Sequence, residues 1–163
     1  MTEPNGQSLP LSPDIAADLH RGIGRFLTSI GFSVLEEFKL GNGRRADLAG
    51  LSRNGKIIIV EIKSSLADYR SDRKWPDYLD YCDLFYFGIA ETFPCDVLNE
   101  TAALPNRTGI IIGDRFDAGI VRHAKETCLN GTRRRAEILR FARKAAARLH
   151  YKTELNGKDG YSV

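Results

Sequence analysis

The segment that most constrains the fold of this chain runs from Lys56 to Lys63. Residues 57–60 are all Ile or Val, and such a bounded apolar run is typical of a strand that is covered on both faces. Glu61 and Lys63 end this run, and they point to the same side because side chains alternate along a strand. Since burying an unpaired charge costs several kcal/mol, these two residues predict an ion pair, a hydrated cleft or a bound ion.

The turn before this strand decides whether a third charge, Asp47 of the preceding strand, reaches the same place. With a three-residue loop over 53–55 and Gly55 in the left-handed conformation, Asp47 lies directly across from Glu61. A two-residue turn would place Asp47 opposite Ile62, on the other face of the sheet. The sequence therefore predicts a shared site if the loop is the longer one, or if a bulge restores the same facing.

The other apolar patterns predict an α/β fold. A first helix is expected to be capped by Ser12, to begin at Pro13 and to end at Gly31, with an apolar face that runs from Ile15 to Ile30. A long last helix is expected to be capped by Thr132, with an apolar face that extends to Leu149. Between them we expect strands over 32–38, 45–51, 56–63, 83–89, 108–114 and 119–123, and short helices within 64–74, 76–81 and 95–99. This order predicts a sandwich with a mixed sheet.

The length of 163 residues fits a single domain with one core. We expect a flexible lead over residues 1–12, one domain over 13–150 and a loose polar tail over 151–163. No run approaches the roughly 18 apolar residues of a membrane span, and the N-terminus lacks the layout of a signal peptide. We therefore expect a cytoplasmic protein with no membrane partner.

Cysteine spacing and charge exclude some classes of protein and leave others open. The three cysteines are far apart, which argues against a disulfide framework and against a zinc site. The net charge is only +3, but basic residues crowd into the last helix. Such crowding predicts either a surface that binds a polyanion or a solvated helix face, and this segment alone favours neither.

The charged residues of the two central strands are suited to a hard divalent cation. Asp47 and Glu61 offer carboxylate oxygens, and the carbonyl of Ile62 could add a third ligand. A small number of oxygen ligands suits Mg²⁺ or Mn²⁺, which can lower the pKa of a bound water and neutralise charge on a phosphate. Lys63 could orient that water or the phosphate. The pattern therefore predicts a hydrolytic site for phosphodiesters.

Asp47, thirteen intervening residues and Glu61-Ile62-Lys63 resemble the core motif of the PD-(D/E)XK nuclease superfamily. Segments 45–50, 60–65, 72–78 and 81–87 further resemble the MmcB family of bacterial DNA-repair proteins. This similarity spans residues 12–149. It implies a restriction-endonuclease-like αβββαβ core, with a mixed central sheet flanked by helices, and a part in the response to DNA damage.

The resemblance also implies residue roles. Asp47, Glu61 and Lys63 would be catalytic, and Asp47, Glu61 and the carbonyl of Ile62 would bind Mg²⁺ or Mn²⁺. Many superfamily members carry a further acid on the first helix, where this chain has His20 with Asp18 nearby. His20 and Asp18 are therefore candidates for additional active-site residues, although a place on the helix flank is the common role for such a histidine.

Residues around the core have further expected roles. Glu36 and Glu37 of the first strand are alternative acids, for which surface positions are the favoured interpretation. Trp75 is expected to pack against the sheet. For Arg73 and Lys74 phosphate contact is favoured over the structural alternative, in which Arg73 pairs with Asp72. The candidates for contact with nucleic-acid phosphates are Arg44, Arg45, Arg73, Lys74, Arg133, Arg134 and Arg135.

Three functions follow as hypotheses. The first is a metal-dependent nuclease that hydrolyses branched, nicked or damaged DNA. The second is a catalytically silent DNA-binding or scaffold module in a repair complex. The third is processing of RNA. Other repair proteins and a second copy of the chain, in a homodimer, are candidate protein partners.

Overall fold

Six strands form one mixed sheet whose order follows the sequence. The computed structural model of the protein describes residues 14–158, so the expected lead over 1–12 lies outside the described residues. The strands are β1 (Phe32–Lys39), β2 (Arg45–Ser52), β3 (Ile57–Lys63), β4 (Leu84–Ile89), β5 (Gly109–Gly113) and β6 (Ala118–Arg122). Strands β1, β2 and β3 form an antiparallel meander, β3, β4 and β5 are parallel, and β6 is antiparallel to β5. The predicted α/β fold with a mixed sheet and flanking helices is confirmed.

Helices cover both faces of this sheet. On one face α1 (Ile15–Ser29) packs through Leu19, Ile23 and Leu27, all of them buried. The other face is covered by the remaining helices, which are α2 (Leu66–Ser71), 3₁₀ helices at Trp75–Tyr81, Cys95–Asn99 and Thr101–Ala103, and α3 (Gly131–Lys158). Strand β3, buried along its whole length, therefore lies between two apolar layers. The three cysteines are free thiols.

The ends of α1 differ from the sequence prediction in one detail each. Asp14 caps the helix, because its side chain accepts a hydrogen bond from the Ala17 amide at 3.1 Å. The expected cap, Ser12, lies outside the described residues. Gly31 ends the helix with a φ of +96°, as expected, but Ile30 is 46% exposed and does not belong to the buried face.

The hairpin between β2 and β3 has the loop on which the site depends. Gly55 has a φ of +82°, and the Ser52 amide donates to the carbonyl of Lys56 at 3.0 Å. The strand pairs run from Leu51–Ile57 to Leu48–Val60. This is the register of the three-residue loop, so the longer of the two predicted turns is confirmed.

Helix α3 begins and ends outside its predicted limits. Asn130 caps it in place of Thr132, since the Asn130 side chain accepts hydrogen bonds from the amides of Thr132 and Arg133 at 3.0 and 3.2 Å. The helix continues to Lys158, so the tail predicted to be loose is helical over 151–158. Leu149 is 68% exposed, and the predicted apolar face therefore ends before it. No helix within residues 14–158 has the length and apolarity needed to cross a membrane.

Candidate active site

The candidate site lies where β2 and β3 separate. Their ladder ends at the Leu48–Val60 pair, while β3 continues along β4 as far as Lys63. In the described part of the chain, the end of β3 therefore has one edge with no strand beside it. The amide of Ile62 on this edge donates to Asp47 Oδ2 at 2.8 Å. A carboxylate thus takes the place of the backbone acceptor that a longer β2 ladder would have supplied.

The open edge of β3 also shows where the Ile62 carbonyl, one of the predicted metal ligands, points. In an extended strand the N–H and C=O of one residue point to the same edge, because antiparallel partners exchange both groups. Since the Ile62 amide faces Asp47, the Ile62 carbonyl faces the same opening. The structure therefore brings the three predicted oxygen donors of Asp47, Glu61 and Ile62 to one place.

A cleft of about 490 Å³ opens at this point, between α1 and the segment that follows α2. Because it lies at the end of the sheet, both covering layers and the strand ends contribute side chains to it. The predicted residues that line it are His20, Arg44, Arg45, Asp47, Glu61, Ile62, Lys63 and Lys74. Residues as far apart in the chain as His20 and Lys74 thus share one surface.

Glu61 is a buried acid without a complete set of partners. It is 7% exposed, and its Oε1 lies 3.6 Å from Lys63 Nζ. Its Oε2 is buried and has no hydrogen-bond partner within residues 14–158. Burial raises the pKa of Glu61, repulsion from Asp47 adds to this, and the pKa reaches about 8. A buried carboxylate oxygen with no donor is costly, and a bound cation would satisfy it.

Asp47 shares this environment but is better satisfied. Burial raises its pKa above the usual value, and the Ile62 amide together with the charges of His20 and Lys63 opposes this only in part. The two carboxylates therefore compete to remain ionised in one low-dielectric site. Raised pKa values of two neighbouring acids in a cleft are typical of a functional site, and a bound cation would lower both of them.

Lys63 is held by a residue to which the sequence had assigned another role. Its Nζ lies 2.5 Å from Asp72 Oδ2, and Lys63 is only 2% exposed. Burial lowers the pKa of Lys63, but the hydrogen bond that Lys63 donates to Asp72 and the charges of Glu61 and Asp72 outweigh it and raise the pKa above its ordinary value. The structural alternative in which Asp72 pairs with Arg73 is wrong, since Asp72 pairs with Lys63.

The local structure of α2 explains how Asp72 reaches Lys63. Ser65 caps α2 by accepting a hydrogen bond from the Asp68 amide at 3.1 Å, so the helix starts directly after β3 and turns the chain back. Asp72 ends this helix, and its Oδ1 accepts hydrogen bonds from the amides of Lys74 and Trp75 at 2.8 and 3.2 Å. Burial raises the pKa of Asp72, but Lys63 and these amides lower it more, so it remains ionised.

Aromatic residues after Asp72 support the cleft from below. Trp75 is buried against Phe85 and Phe87, with ring centroids 5.4 and 4.9 Å away, which confirms that it packs on the sheet. The Tyr78 hydroxyl donates to the carbonyl of Arg45 at 2.8 Å. Burial, with the charges of Glu61 and Asp47, holds the pKa of Tyr78 well above its usual range, so the phenol stays protonated and keeps this bond.

The two candidates on α1 point in different directions. Residues two apart on a helix lie on nearly opposite sides, so only one of them can face the cleft. His20 lines the cleft, whereas Asp18 lies in a separate cavity and pairs with Arg115 at 3.6 Å. The proposal of an active-site role for Asp18 is therefore withdrawn, and that for His20 stays a prediction.

The predicted phosphate-binding residues fall into two groups. Arg44, Arg45 and Lys74 line the cleft, and Arg44 pairs with Asp77 at 2.8 Å. Arg73 is exposed and outside the cleft. The other group is at the opposite end of β3, whose seven residues span about 20 Å.

Arg133, Arg134 and Arg135 form that second group, and the first two have structural partners. Arg134 donates to both oxygens of buried Asp83 at 2.7 and 2.6 Å and to the carbonyl of Gly55 at 2.7 Å. Arg133 lies over the Tyr81 ring, 4.6 Å from its centroid. The prediction that Arg134 contacts phosphate is not retained, because its guanidinium already binds Asp83 and Gly55. Arg135 is exposed.

Residues 5–155 match the family of MmcB-like DNA repair proteins. The chain belongs to this family. The resemblance to the MmcB family that the sequence shows is thereby confirmed. None of the curated proteins matches the chain.

Two solved structures are similar to this MmcB-like protein. A protein of unknown function from Silicibacter pomeroyi shares 38% sequence identity over 95% of this chain and 99% of its own, with a TM-score of 0.77. A repair endonuclease from Pyrococcus abyssi matches 67% of this chain and 49% of its own at 16% identity, with a TM-score of 0.38. The second likeness is too weak to bear on activity.

Proposed function

We propose that this protein is a metal-dependent nuclease that hydrolyses phosphodiester bonds of DNA during repair. The observation that carries the proposal is the opening between β2 and β3, where Asp47, Glu61 and Lys63 line one cleft. Membership of the MmcB-like DNA repair family supports DNA as the substrate.

The donor set fits a hard divalent cation. Asp47, Glu61 and the Ile62 carbonyl would hold Mg²⁺ or Mn²⁺. The atom that most needs such a ligand is Oε2 of Glu61, which has no hydrogen-bond partner among residues 14–158. When bound, the ion would supply Lewis-acid stabilisation of phosphate charge and a more acidic water. A metal ion would also displace the proton that Glu61 carries when its pKa is about 8.

The protein's own groups would position the reacting atoms. Asp47 is fixed by the Ile62 amide, and Lys63 is fixed by Asp72, so neither side chain has to be ordered when DNA arrives. The Lys63 ammonium is a donor that can orient a water or a phosphate oxygen. Because Asp72 and Glu61 raise the pKa of Lys63, this group stays protonated and acts as a donor and a charge, and another group must accept the proton of the water.

Arg44, Arg45 and Lys74 would bind the DNA backbone beside the cleft. Arg44 pairs with Asp77, and Arg45 pairs with Glu37 at 2.5 Å, but all four side chains are between 37% and 69% exposed. Exposed ion pairs contribute only about 0–1 kcal/mol, so DNA phosphates can exchange for these carboxylates. Phosphate contacts of this kind position a duplex without reading its sequence.

The test is a cleavage assay with nicked, forked and single-stranded DNA in the presence of Mg²⁺ or Mn²⁺. We expect cleavage that EDTA abolishes and that Glu61→Gln and Lys63→Met each reduce at least about 100-fold. Glu36→Gln, an exposed acid of β1, is the matched control and should cut like the parent protein.

Other outcomes would point to the remaining hypotheses. DNA binding that weakens steeply with salt, without cleavage under either metal ion, would support the silent DNA-binding or scaffold module. Cleavage of RNA but not of DNA would show that RNA is the substrate. Cleavage that survives Glu61→Gln would contradict the assigned site.

A further inference from the structure

A groove of about 440 Å³ lies between α3 and the end of β1. Four of the side chains that line it are basic, namely Lys39 of β1 and Arg140, Arg143 and Lys144 of α3. We propose that this α3 groove binds a single-stranded arm of the DNA that the cleft holds. The inference rests on the proposed function, since it names the kind of DNA that enters the cleft, but the binding of a strand can be measured without cleavage.

Two contacts place the middle of α3 close to the cleft. The amide of Gly41, in the turn between β1 and β2, donates to Glu137 Oε1 at 3.0 Å. Phe141 packs against Phe38, with ring centroids 5.5 Å apart. The same turn leads into Arg44, which lines the cleft. The basic residues of α3 and those of the cleft therefore lie at the same end of the sheet.

The basic residues of the α3 groove are not balanced by acids. In the described part of the chain, Lys39, Arg143 and Lys144 form no ion pair, and Arg140 pairs with Glu137 at 3.6 Å. Arg140 also lies one helical turn before Lys144, and like charges at this spacing destabilise a helix. Concentrated positive charge that costs stability in the free protein is suited to a polyanion.

A second pair of like charges connects the α3 groove to the cleft. Lys39 lines the groove, Arg45 lines the cleft, and the two are direct partners in the β1–β2 ladder. Like charges directly opposite each other destabilise a sheet, and an anion close to both would offset this cost. Glu37 joins the same region to α3, since it pairs with Arg45 at 2.5 Å and its carbonyl accepts a hydrogen bond from Arg148 at 3.2 Å. The basic surface thus continues from the cleft to α3.

The apolar part of the lining favours a single strand over a duplex. Ala136, Leu139 and Ala147 line the groove, and Leu139 is 55% exposed. The nucleobases of a duplex are stacked inside it, so apolar side chains beside its phosphates gain nothing. The nucleobases of a single strand have free faces, which can pack on apolar side chains and on guanidinium planes while basic side chains bind the phosphates.

An acidic, amphipathic segment of a protein is the alternative ligand for an apolar groove with basic side chains. The connection to the cleft favours a nucleic acid, because one strand carries phosphates at regular intervals and can occupy the cleft and the groove together. A peptide bound in the groove would leave the paired charges of Lys39 and Arg45 unexplained.

The experiment measures DNA binding by the full-length chain in EDTA, so that the result does not depend on cleavage. Fluorescence anisotropy is recorded at several salt concentrations with oligo(dT), with a blunt duplex and with a fork that has an oligo(dT) arm. We expect the double variant Arg143→Ala, Lys144→Ala to bind oligo(dT) and the fork about 10-fold more weakly. The salt slope for oligo(dT) should fall by about 1.4, because each phosphate contact on a single strand contributes about 0.7. Affinity for the blunt duplex should change by less than about 2-fold.

A second variant tests the apolar lining separately from charge. Leu139→Gln keeps a good helix former and removes an exposed apolar side chain. It should weaken oligo(dT) binding by about 3-fold without changing the salt slope. The matched control is the double variant Arg135→Ala, Lys152→Ala, which removes two exposed basic residues of α3 outside the groove and should bind every probe like the parent. Circular dichroism verifies that each variant is folded.

The outcomes separate this inference from the proposed nuclease. Oligo(dT) affinity that the groove variants leave unchanged would overturn the inference, even if the protein cuts DNA. Equal losses for oligo(dT) and the blunt duplex would also overturn it, because they would show no preference for a single strand. A labelled peptide of Glu and Leu that only the groove variants fail to bind, with oligo(dT) binding intact, would assign the groove to a protein partner instead. Groove-dependent binding of oligo(dT) in a protein that cuts no DNA would sustain the groove and refute the nuclease.

Discussion

The two ends of strand β3 each carry a buried cluster of charges, and the clusters differ in how completely their hydrogen bonds are satisfied. At the start of β3, Asp83 is 1% exposed and accepts four hydrogen bonds, from the amides of Ile57 and Leu129 and from two nitrogens of Arg134. At the other end, Glu61 is nearly as buried but has one oxygen without any donor in the described part of the chain.

The pKa values of the two acids follow this difference. Burial raises the pKa of Asp83, but Arg134 and the two amides lower it more, and the net pKa is below its usual value. Burial and the neighbouring Asp47 raise the pKa of Glu61 to about 8. Two acids of similar burial therefore have opposite effects on stability: the first stabilises the fold when ionised, and the second destabilises it until a cation binds.

The largest effect is expected at the satisfied cluster. Asp83→Asn leaves the Arg134 guanidinium without its counter-charge, so the free energy of unfolding should fall by about 3–5 kcal/mol. Urea denaturation measures this loss. Asp77→Asn, which breaks the exposed pair with Arg44, is the control and should change stability by less than about 1 kcal/mol. Equal losses in the two variants would contradict the contrast drawn here.

The opposite sign is expected at Glu61. Its pKa in the folded protein, about 8, is above the ordinary value of 4.5, so ionisation destabilises the metal-free fold as the pH rises from about 5 to 9. Glu61→Gln removes this penalty. With EDTA present, the variant should be more stable than the parent by roughly 2–4 kcal/mol at pH 9 and equal to it near pH 4. A variant that is less stable at pH 9 would show that Glu61 is a structural acid like Asp83.

A smaller effect is expected for Asp72→Asn, because Lys63 keeps Glu61 as a partner at 3.6 Å. Stability should fall by about 1.5–3 kcal/mol, the range for a hydrogen bond to a charged group. Because Asp72 raises the pKa of Lys63, the alkaline limit of DNA cleavage should also move to lower pH. A pH–rate profile that keeps its alkaline limit would exclude a positioning role for Asp72.

The smallest effect concerns the contribution of basic residues near the two ends of β3 to DNA affinity. Lys74→Ala, in the cleft, should weaken DNA binding by roughly 1 kcal/mol and reduce the slope of log K against log salt by about one. Arg135→Ala, at the satisfied end, should change neither quantity. Fluorescence anisotropy at several salt concentrations compares them. A larger effect of Arg135→Ala would restore the original assignment of residues 133–135 as a DNA-binding surface.

Local turn chemistry explains why much of the site could be predicted from sequence. Gly55 fixes the loop, the loop fixes the register, and the register brings Asp47 to Glu61. The register of the next hairpin also places Glu37, which the sequence offers as an alternative acid. The β1–β2 ladder pairs Lys39 with Arg45, so two residues further along each strand Glu37 lies across from Asp47.

Other features depend on docking between distant segments and leave no periodic signal. Asp83 and Arg134 are 51 residues apart, and only the position of α3 on the sheet joins them. The Lys63–Asp72 pair depends on how α2 turns back after β3, which the polar segment 64–74 does not specify. The sequence predicts that α3 is a helix, but it does not predict which residues of the sheet α3 contacts.

Asp47 also has a structural role, because its carboxylate accepts the hydrogen bond that the Ile62 amide would otherwise donate to a neighbouring strand. Asp47→Ala would remove a proposed metal ligand, and it would also leave the Ile62 amide without its acceptor. A loss of activity in this variant would therefore have two explanations. Asparagine retains an amide oxygen that can accept from Ile62 while discarding the negative charge. In this architecture, Asp47→Asn is therefore the substitution that separates chemistry from scaffolding.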